Sequence, residues 1–199
     1  LFKNSILTYE NMPSSAQYFP DIRSLKKDKG INLGIYQCSR CELVQLNNKP
    51  VSYYKEVIRS SDVSTDMRLF REKQFKDIIK RFKLTNKKII EIGCGSGEYL
   101  SIFKKFNVKS YGIEYGVNSF RNCLKRKLDV SKGYLENPNF VIKNSPFDAF
   151  FIFSFLEHLP NINSVLKSIH NNLDDDGIGI IEVPNFDMIL KKDLFSEFI

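Results

Sequence analysis

Ile89-Ile90-Glu91-Ile92-Gly93-Cys94-Gly95-Ser96-Gly97-Glu98 is the stretch whose reading decides the fold. Its apolar run, broken by Glu91, reads as the end of a strand. Glycines at 93, 95 and 97 read as a turn, and the residues from Glu98 onward open a helix. A turn of this kind lets a ligand come close to the backbone, because glycine carries no Cβ. In an open α/β sheet, ligands sit outside the carboxyl ends of the strands. The spacing then excludes some ligands. A dinucleotide fingerprint needs G-x-G-x-x-G, and the place of its third glycine is taken by Glu98. A glutamate at a helix N-terminus also repels a pyrophosphate seeking that end. The P-loop pattern G-x-x-x-x-G-K-[ST] is absent. The turn therefore suits a ligand without phosphates.

Outward from that stretch the chain alternates. Lys88–Ile92 is a strand, Gly93–Gly97 the turn and Glu98–Phe106 a helix. Lys109–Ile113, Leu128–Gly133, Asp148–Phe153 and Ile178–Val183 read as further strands. Asn118–Lys127 and Ile162–Asn172 read as helices, and Asp174–Gly177 as a turn. Strands separated by helices predict an α/β fold, a Rossmann-like doubly wound parallel sheet with right-handed crossovers. The continuous run Ala149–Phe153 suits a sheet covered on both faces. Before it, Met67, Phe70, Phe75, Ile78, Ile79 and Phe82 fall at helical spacing, predicting an amphipathic helix over 66–82 capped by Asp62 or Ser64.

Residues 1–65 have a different character. They are irregular and polar, with two short strands, Leu33–Gln37 and Glu42–Leu46, around Cys38-Ser39-Arg40-Cys41. The expected organisation is a small, incomplete N-terminal appendage, 1–65, and a larger domain, 66–199. The chain opens on Leu and closes on Phe-Ser-Glu-Phe-Ile, so it is expected to be part of a longer protein.

The bulk composition narrows the classes. With 199 residues, 42% hydrophobic and 27% charged, the chain can build a core and stay in solution. No apolar run approaches the roughly 20 residues needed to span a bilayer, and the first ten residues do not read as a signal peptide. The net charge of +7 comes from scattered lysines. They form no basic stripe with interleaved aromatics, so a nucleic-acid partner is not expected. Four cysteines are too few for a secreted disulfide scaffold of this length, and a cytoplasmic location is expected.

Further candidates sit at strand ends. Glu114 closes the second strand, where one carboxylate accepts from both ribose hydroxyls of a nucleoside, and Tyr115 follows it. Pro146–Pro160 contains the apolar fourth strand, then Ser154, Phe155, Leu156, Glu157 and His158. An imidazole titrates near neutral pH, which makes His158 a candidate base. Asp174–Asp176 read as a solvated turn, because consecutive side chains in a turn do not converge on a metal. Cys38 and Cys41 make half of a tetrahedral zinc site.

The run Glu91–Gly97, with Tyr111-Gly112-Ile113-Glu114, the stretch Pro146–Pro160 and Leu173–Asn185, resembles class I S-adenosylmethionine (SAM) dependent methyltransferases. That resemblance implies SAM as cofactor. The loop of Gly93, Cys94, Gly95 and Gly97 would wrap its methionine part, Glu91 would meet the amino group and Glu114 the ribose. Tyr115, Tyr134 and Leu135 would face the adenosine, and Ser154 and Phe155 would line the pocket. Residues 33–46, with Tyr53-Tyr54 and Ser60-Ser61, resemble the N-terminal zinc-binding domain of sugar C-methyltransferases. This implies a small-molecule substrate, a nucleotide-linked keto-sugar methylated at carbon through an enolate. It also implies a structural zinc whose other ligands precede Leu1, and a main catalytic base beyond residue 199. Methylation of oxygen or nitrogen on another metabolite, and a non-catalytic SAM-fold scaffold, are the alternatives.

Overall fold

The structure is a computed structural model that describes residues 4–15, 20–57, 63–192 and 194. Ser60, Ser61 and Asp62 lie outside the described residues. In chain order the elements are β1 Ser5–Met12, β2 Ile31–Gln37, β3 Val44–Leu46, α1 Tyr54–Val57, α2 Thr65–Arg81, β4 Lys88–Ile92 and α3 Glu98–Phe103. Then follow β5 Lys109–Glu114, α4 Val117–Lys125, β6 Val130–Lys132, β7 Phe147–Phe153, α5 Ile162–Asn171, β8 Leu173–Glu182 and α6 Phe186–Lys191. The chain divides into two compact units, Leu1–Val57 with Pro184–Ile199, and Ile58–Val183.

The first unit carries an antiparallel sheet ordered β1-β2-β3. Ile35 sits opposite Leu46, and Thr8 opposite Gly34. Strand β1 is absent from the sequence reading, and its burial explains why. None of its residues is fully buried; Leu7, Tyr9 and Met12 are half-buried, and exposed Ile6 puts an apolar residue on the opposite face, which blurs the strand period in the sequence. The strand expected over 42–46 begins only at Val44. The chain from Cys38 to Leu43 is committed to a turn in which Glu42 N–H donates to Cys38 O and Cys38 N–H to Leu43 O, both at 2.9 Å.

The second unit is a five-stranded sheet ordered β6-β5-β4-β7-β8, with every pairing parallel. This is the α/β, doubly wound arrangement expected. Side chains alternate between its faces with the strand period of two. Ile89, Ala149, Phe151 and Phe153 pack with Phe75 and Ile79 of α2 and Phe103 of α3. Ile90, Ile92 and Ile152 pack on the other face with Val165 and Ile169 of α5. The rings of Phe75 and Phe103 stack with centroids 4.0 Å apart. Truncating Phe75 to Ala would cost about 3–5 kcal/mol.

Two boundaries of the second unit differ most from expectation. Helix α3 ends at Phe103 rather than Phe106. Its last turn tightens, with Lys105 N–H bonding Ile102 O and Phe106 N–H bonding Phe103 O. The turn expected at Asp174–Gly177 is a bulge inside one long strand. Leu173 pairs with Phe147 and Ile178 with Ala149, so β8 advances five residues while β7 advances two. Side-chain capping by Ser64 holds as expected, its Oγ accepting the Met67 N–H at 3.2 Å.

Candidate active site

The strand order reverses between β4 and β7, since β5 and β6 lie to one side of β4 and β7 and β8 to the other. In such sheets the crevice at that reversal, at the carboxyl ends, is where ligands bind. The carboxyl ends of β4, β5, β7 and β8 all lie there. With the residues just after them they carry Glu91–Gly97, Glu114–Tyr115, Ser154–His158 and Glu182.

Gly93, Gly95 and Gly97 all have positive φ, at 70°, 55° and 84°. That region is open to glycine at little cost. The space left by two of their missing side chains is filled from within the protein. A Cβ on Gly93 would lie 2.5 Å from the Phe155 ring, and one on Gly97 would strike Leu128. These glycines therefore serve packing as well as any approach of a ligand. The loop is anchored through its first three residues. Gly93 N–H and Cys94 N–H both donate to Ile113 O, at 3.0 and 3.2 Å. Gly95 N–H donates to Glu114 Oε2 at 2.8 Å, and Gly116 N–H to Glu114 Oε1 at 2.6 Å. A carboxylate has about four lone-pair sites, so Glu114 keeps acceptor capacity for two hydroxyls.

Glu91 is 4% exposed. Its Oε2 is buried and accepts no hydrogen bond. Burial, followed by the charges of Glu98, Cys123 and Glu114, pushes its carboxyl well above the usual carboxylate range, while Arg71 pulls it back. Burial also raises the Glu114 carboxyl, against hydrogen bonds from backbone N–H groups that lower it. Glu98 is buried too, with Arg126 Nη1 3.1 Å from its Oε1. A buried acceptor without a partner is expensive and is met by a cationic donor. The acidic excess around the glycine loop therefore fits the ammonium and sulfonium charges of SAM, and Glu114 fits a ribose.

The other expected residues fall as follows. Cys94 contributes backbone to the loop, but its side chain is in the core with Cys123, Leu100 and Leu128. A hydrogen bond with Cys123, then burial, raises its thiol well above the usual value, so it is not a nucleophile. Tyr115, Tyr134 and Phe155 form an aromatic chain, with centroids 5.6 Å apart for the first pair and 6.5 Å for the second. Leu135 is 3% exposed and its side chain belongs to the core beside Ile92 and Ile113. Ser154 is exposed, has φ 46°, and its N–H bonds Glu182 O at 3.0 Å. His158 ends a short helical turn, Leu156–His158, and is exposed.

Sequence reasoning missed Arg71, Tyr99 and Glu182. Arg71 of α2 is 3% exposed. It donates from Nη1 to Glu182 Oε2 at 2.8 Å and to Gln74 Oε1 at 2.7 Å, and from Nη2 to Glu182 Oε1. Its guanidinium carbon lies 4.7 Å from the Phe153 ring centre and 5.0 Å from that of Tyr99. Glu182 was findable, since it closes an apolar strand as Glu91 and Glu114 do.

In the other unit, Cys38 is lowered to about 7 by backbone N–H bonds from Cys41 and Arg40 and by the Cys41 side chain. Among the described residues no third His, Cys, Asp or Glu joins this pair to make a metal site.

A family model described as a methyltransferase domain matches residues 67–195, more than half of the chain. The chain belongs to the methyltransferase-domain family. The expected class I SAM-dependent methyltransferase core is thus borne out by family and by fold. This methyltransferase domain is 27% identical over 124 residues to an uncharacterised protein of Methanocaldococcus jannaschii, covering 61% of this chain and 52% of that protein. Its fold matches an S-adenosylmethionine-dependent methyltransferase from Clostridium acetobutylicum at 13% identity and TM-score 0.53, over 66% of this chain and 55% of that one. It also matches the plantazolicin methyltransferase BpumL, in complex with a monoazolic desmethyl analogue and SAH, at 22% identity and TM-score 0.53, over 65% and 51%. The chain spans about half the length of these relatives. Among the described residues no helix is long and apolar enough to cross a membrane.

Proposed function

We propose that this chain is the cofactor-binding core of a SAM-dependent methyltransferase whose acceptor is a small molecule. The observation that carries this is the buried, unpartnered Oε2 of Glu91 beside the glycine loop at the sheet's reversal point. SAM, when bound, supplies an electrophilic methyl group on a sulfonium. Glu91 holds its ammonium, the backbone of Gly93, Cys94, Gly95 and Gly97 wraps its methionine part, and Glu114 takes the ribose hydroxyls. Tyr115, Tyr134 and Phe155 flank the adenosine, with the backbone at Leu135 and Ser154 completing the wall. Ordering these groups before the acceptor arrives places methyl and acceptor in line, which is where most of such an enzyme's rate arises.

The acceptor we propose is a carbon of a nucleotide-linked keto-sugar, on the resemblance carried by residues 33–46, Tyr53-Tyr54 and Ser60-Ser61. Removal of the proton beside the ketone gives an enolate whose carbon takes the methyl. His158, exposed after β7, is the candidate for that proton among the described residues. In the same reading the 1–65 segment is a substrate-side domain, 66–199 the SAM-binding domain, and Cys38 and Cys41 half of a zinc site in a cytoplasmic enzyme. Two thiols fit half of a tetrahedral zinc site and no more.

The test uses the full-length protein, methyl-labelled SAM and a panel of keto-sugar nucleotides, with the labelled atom located by NMR. A methyl on a ring carbon supports the reading. A methyl on oxygen or nitrogen transfers it to another acceptor class, and an unmethylated panel sinks it.

A further inference from the structure

Gly95, the middle glycine of the loop, is held from two sides by two different elements. Its N–H donates to Glu114 Oε2 at 2.8 Å. Its carbonyl accepts the thiol of Cys123 on α4, with Sγ 3.2 Å from the oxygen. The N–H and the carbonyl belong to successive peptide planes. Holding both planes fixes φ and ψ of Gly95 together. Glycine has the most backbone freedom to lose on folding, so this is the loop position where such restraint counts most. Cys123 is the buried residue of α4, at 0% exposure. It packs in a small apolar cluster with Cys94, Leu100 and Leu128. Its sulfur also stands 3.1 Å from where a Cβ on Gly97 would lie, so it borders the loop at a second glycine. The residue before it, Asn122, donates from Nδ2 to Ser96 Oγ at 3.4 Å. One stretch of α4 thus meets Gly95, Ser96 and Gly97 in turn. A buried cysteine acts mainly as a small hydrophobe with a weak S–H donor, and here that donor is directed at a loop carbonyl.

We infer that Cys123 is a positioning residue for the SAM loop: its thiol holds the carbonyl of Gly95, opposite the Glu114 carboxylate that holds the N–H, and so sets the loop's shape before the cofactor arrives. This rests on the SAM reading above and deepens it. Cys123 is fully buried and touches no ligand itself. It acts through the backbone that wraps the methionine part of SAM. A loop already in its bound shape does not have to be ordered when the ligand binds, and that gain appears as affinity. The sequence position calls for a side chain small enough to sit against Gly97, apolar enough for the cluster and still able to donate. Cysteine meets all three demands.

The experiment is calorimetric titration of SAM into the parent chain and its Cys123→Ala and Cys123→Ser variants, with amide hydrogen exchange at Gly95 followed by NMR in the ligand-free proteins. Cys123→Ala removes the donor, and SAM affinity should fall about 3- to 10-fold, the scale of one neutral hydrogen bond. Cys123→Ser keeps a donor and should restore affinity to within about 2-fold of the parent. Packing alone predicts the reverse order, because a hydroxyl is costlier than a methyl group to bury in an apolar cluster. The Gly95 amide should exchange slowly in the ligand-free parent, faster in Cys123→Ala, and slowly again in that variant once SAM is added. A serine variant no better than the alanine one, or an alanine variant that binds like the parent, overturns the inference and leaves SAM binding intact. A Gly95 amide that exchanges in the ligand-free parent as fast as in an unfolded chain also overturns it, and that result needs no variant to fold. Failure of the folded parent to bind SAM overturns both this inference and the reading beneath it.

Discussion

Glu114 Oε2 accepts the N–H of Gly95 at 2.8 Å across 19 residues of sequence. The same carboxylate takes Gly116 N–H on its other oxygen. One side chain thus ties the glycine loop after β4 to the turn after β5. Replacing it acts on both the shape of the loop and the ribose contact. Glu114→Gln keeps the size but exchanges one acceptor oxygen for an NH₂ that faces a backbone donor. SAM affinity should fall about 10- to 100-fold, corresponding to one or two lost hydrogen bonds to a charged group, as read by calorimetry. An unchanged affinity would remove Glu114 from the site.

Glu91→Gln should separate binding from stability. The carboxyl of Glu91 has a folded-state pKa raised well above its unfolded value of 4.5. Its burial therefore opposes folding once the pH passes the unfolded pKa, and the penalty is complete above the folded pKa. A neutral amide escapes it. At neutral pH the ligand-free variant should gain about 1 kcal/mol, a rise of about 2–4 °C in melting temperature for a chain of this size. SAM binding should weaken in the same variant, because an amide meets an ammonium less well. Thermal melts with and without SAM check both halves.

The glycine loop and the carboxylates that close the second unit's inner strands were legible in the sequence because their signals are local. Strand, turn and helix follow one another within ten residues, and Glu91 and Glu114 interrupt apolar runs. Arg71 was illegible for the opposite reason. It stands within an amphipathic helix beside Phe70, where a charge reads as solvated, and its partner Glu182 lies 111 residues away. The bulge in β8 reads as a turn in the sequence because Asp174–Gly177 has turn composition. Only the β7 register shows that the strand continues through it. Strand β1 gave no signal because only Leu7, Tyr9 and Met12 are half-buried and the apolar Ile6 beside them is exposed.

Gly93→Ala should be severely disruptive. Position 93 has φ 70°, and a Cβ there would meet the Phe155 ring at 2.5 Å. Backbone strain of this kind costs about 1–3 kcal/mol, and displacement of the ring adds to it. Pairing the change with Phe155→Leu should recover part of the stability and little of the SAM binding, since the φ constraint stays. Urea denaturation of the single and double variants gives the coupling. Equal destabilisation of both would show that the ring is not the obstacle.

Asp148 sets part of the acid limit of the fold. Its Oδ1 accepts from Lys87 Nζ and its Oδ2 from Lys88 N–H, both at 2.7 Å. Burial raises its pKa, but these bonds outweigh that and leave it below the ordinary aspartate value of 3.8. The group therefore adds stability above the unfolded pKa and loses it as the pH falls through the lower, folded one. Asp148→Asn should cost about 1 kcal/mol at pH 7, after allowance for the exposed Lys87. The gap to the parent should close as the pH drops below about 4. Denaturant melts across pH 3–7 would show the convergence, and a constant gap would assign the loss to packing.

The central claim is that the crevice after β4 and β5 takes SAM. Calorimetric titration of SAM into the folded chain, with NAD as the control ligand, tests it most directly. Saturable binding of SAM, weakened by Glu114→Gln, and no binding of NAD is the result the account predicts. Binding of NAD in place of SAM, or SAM affinity indifferent to Glu91 and Glu114 substitutions, would contradict it.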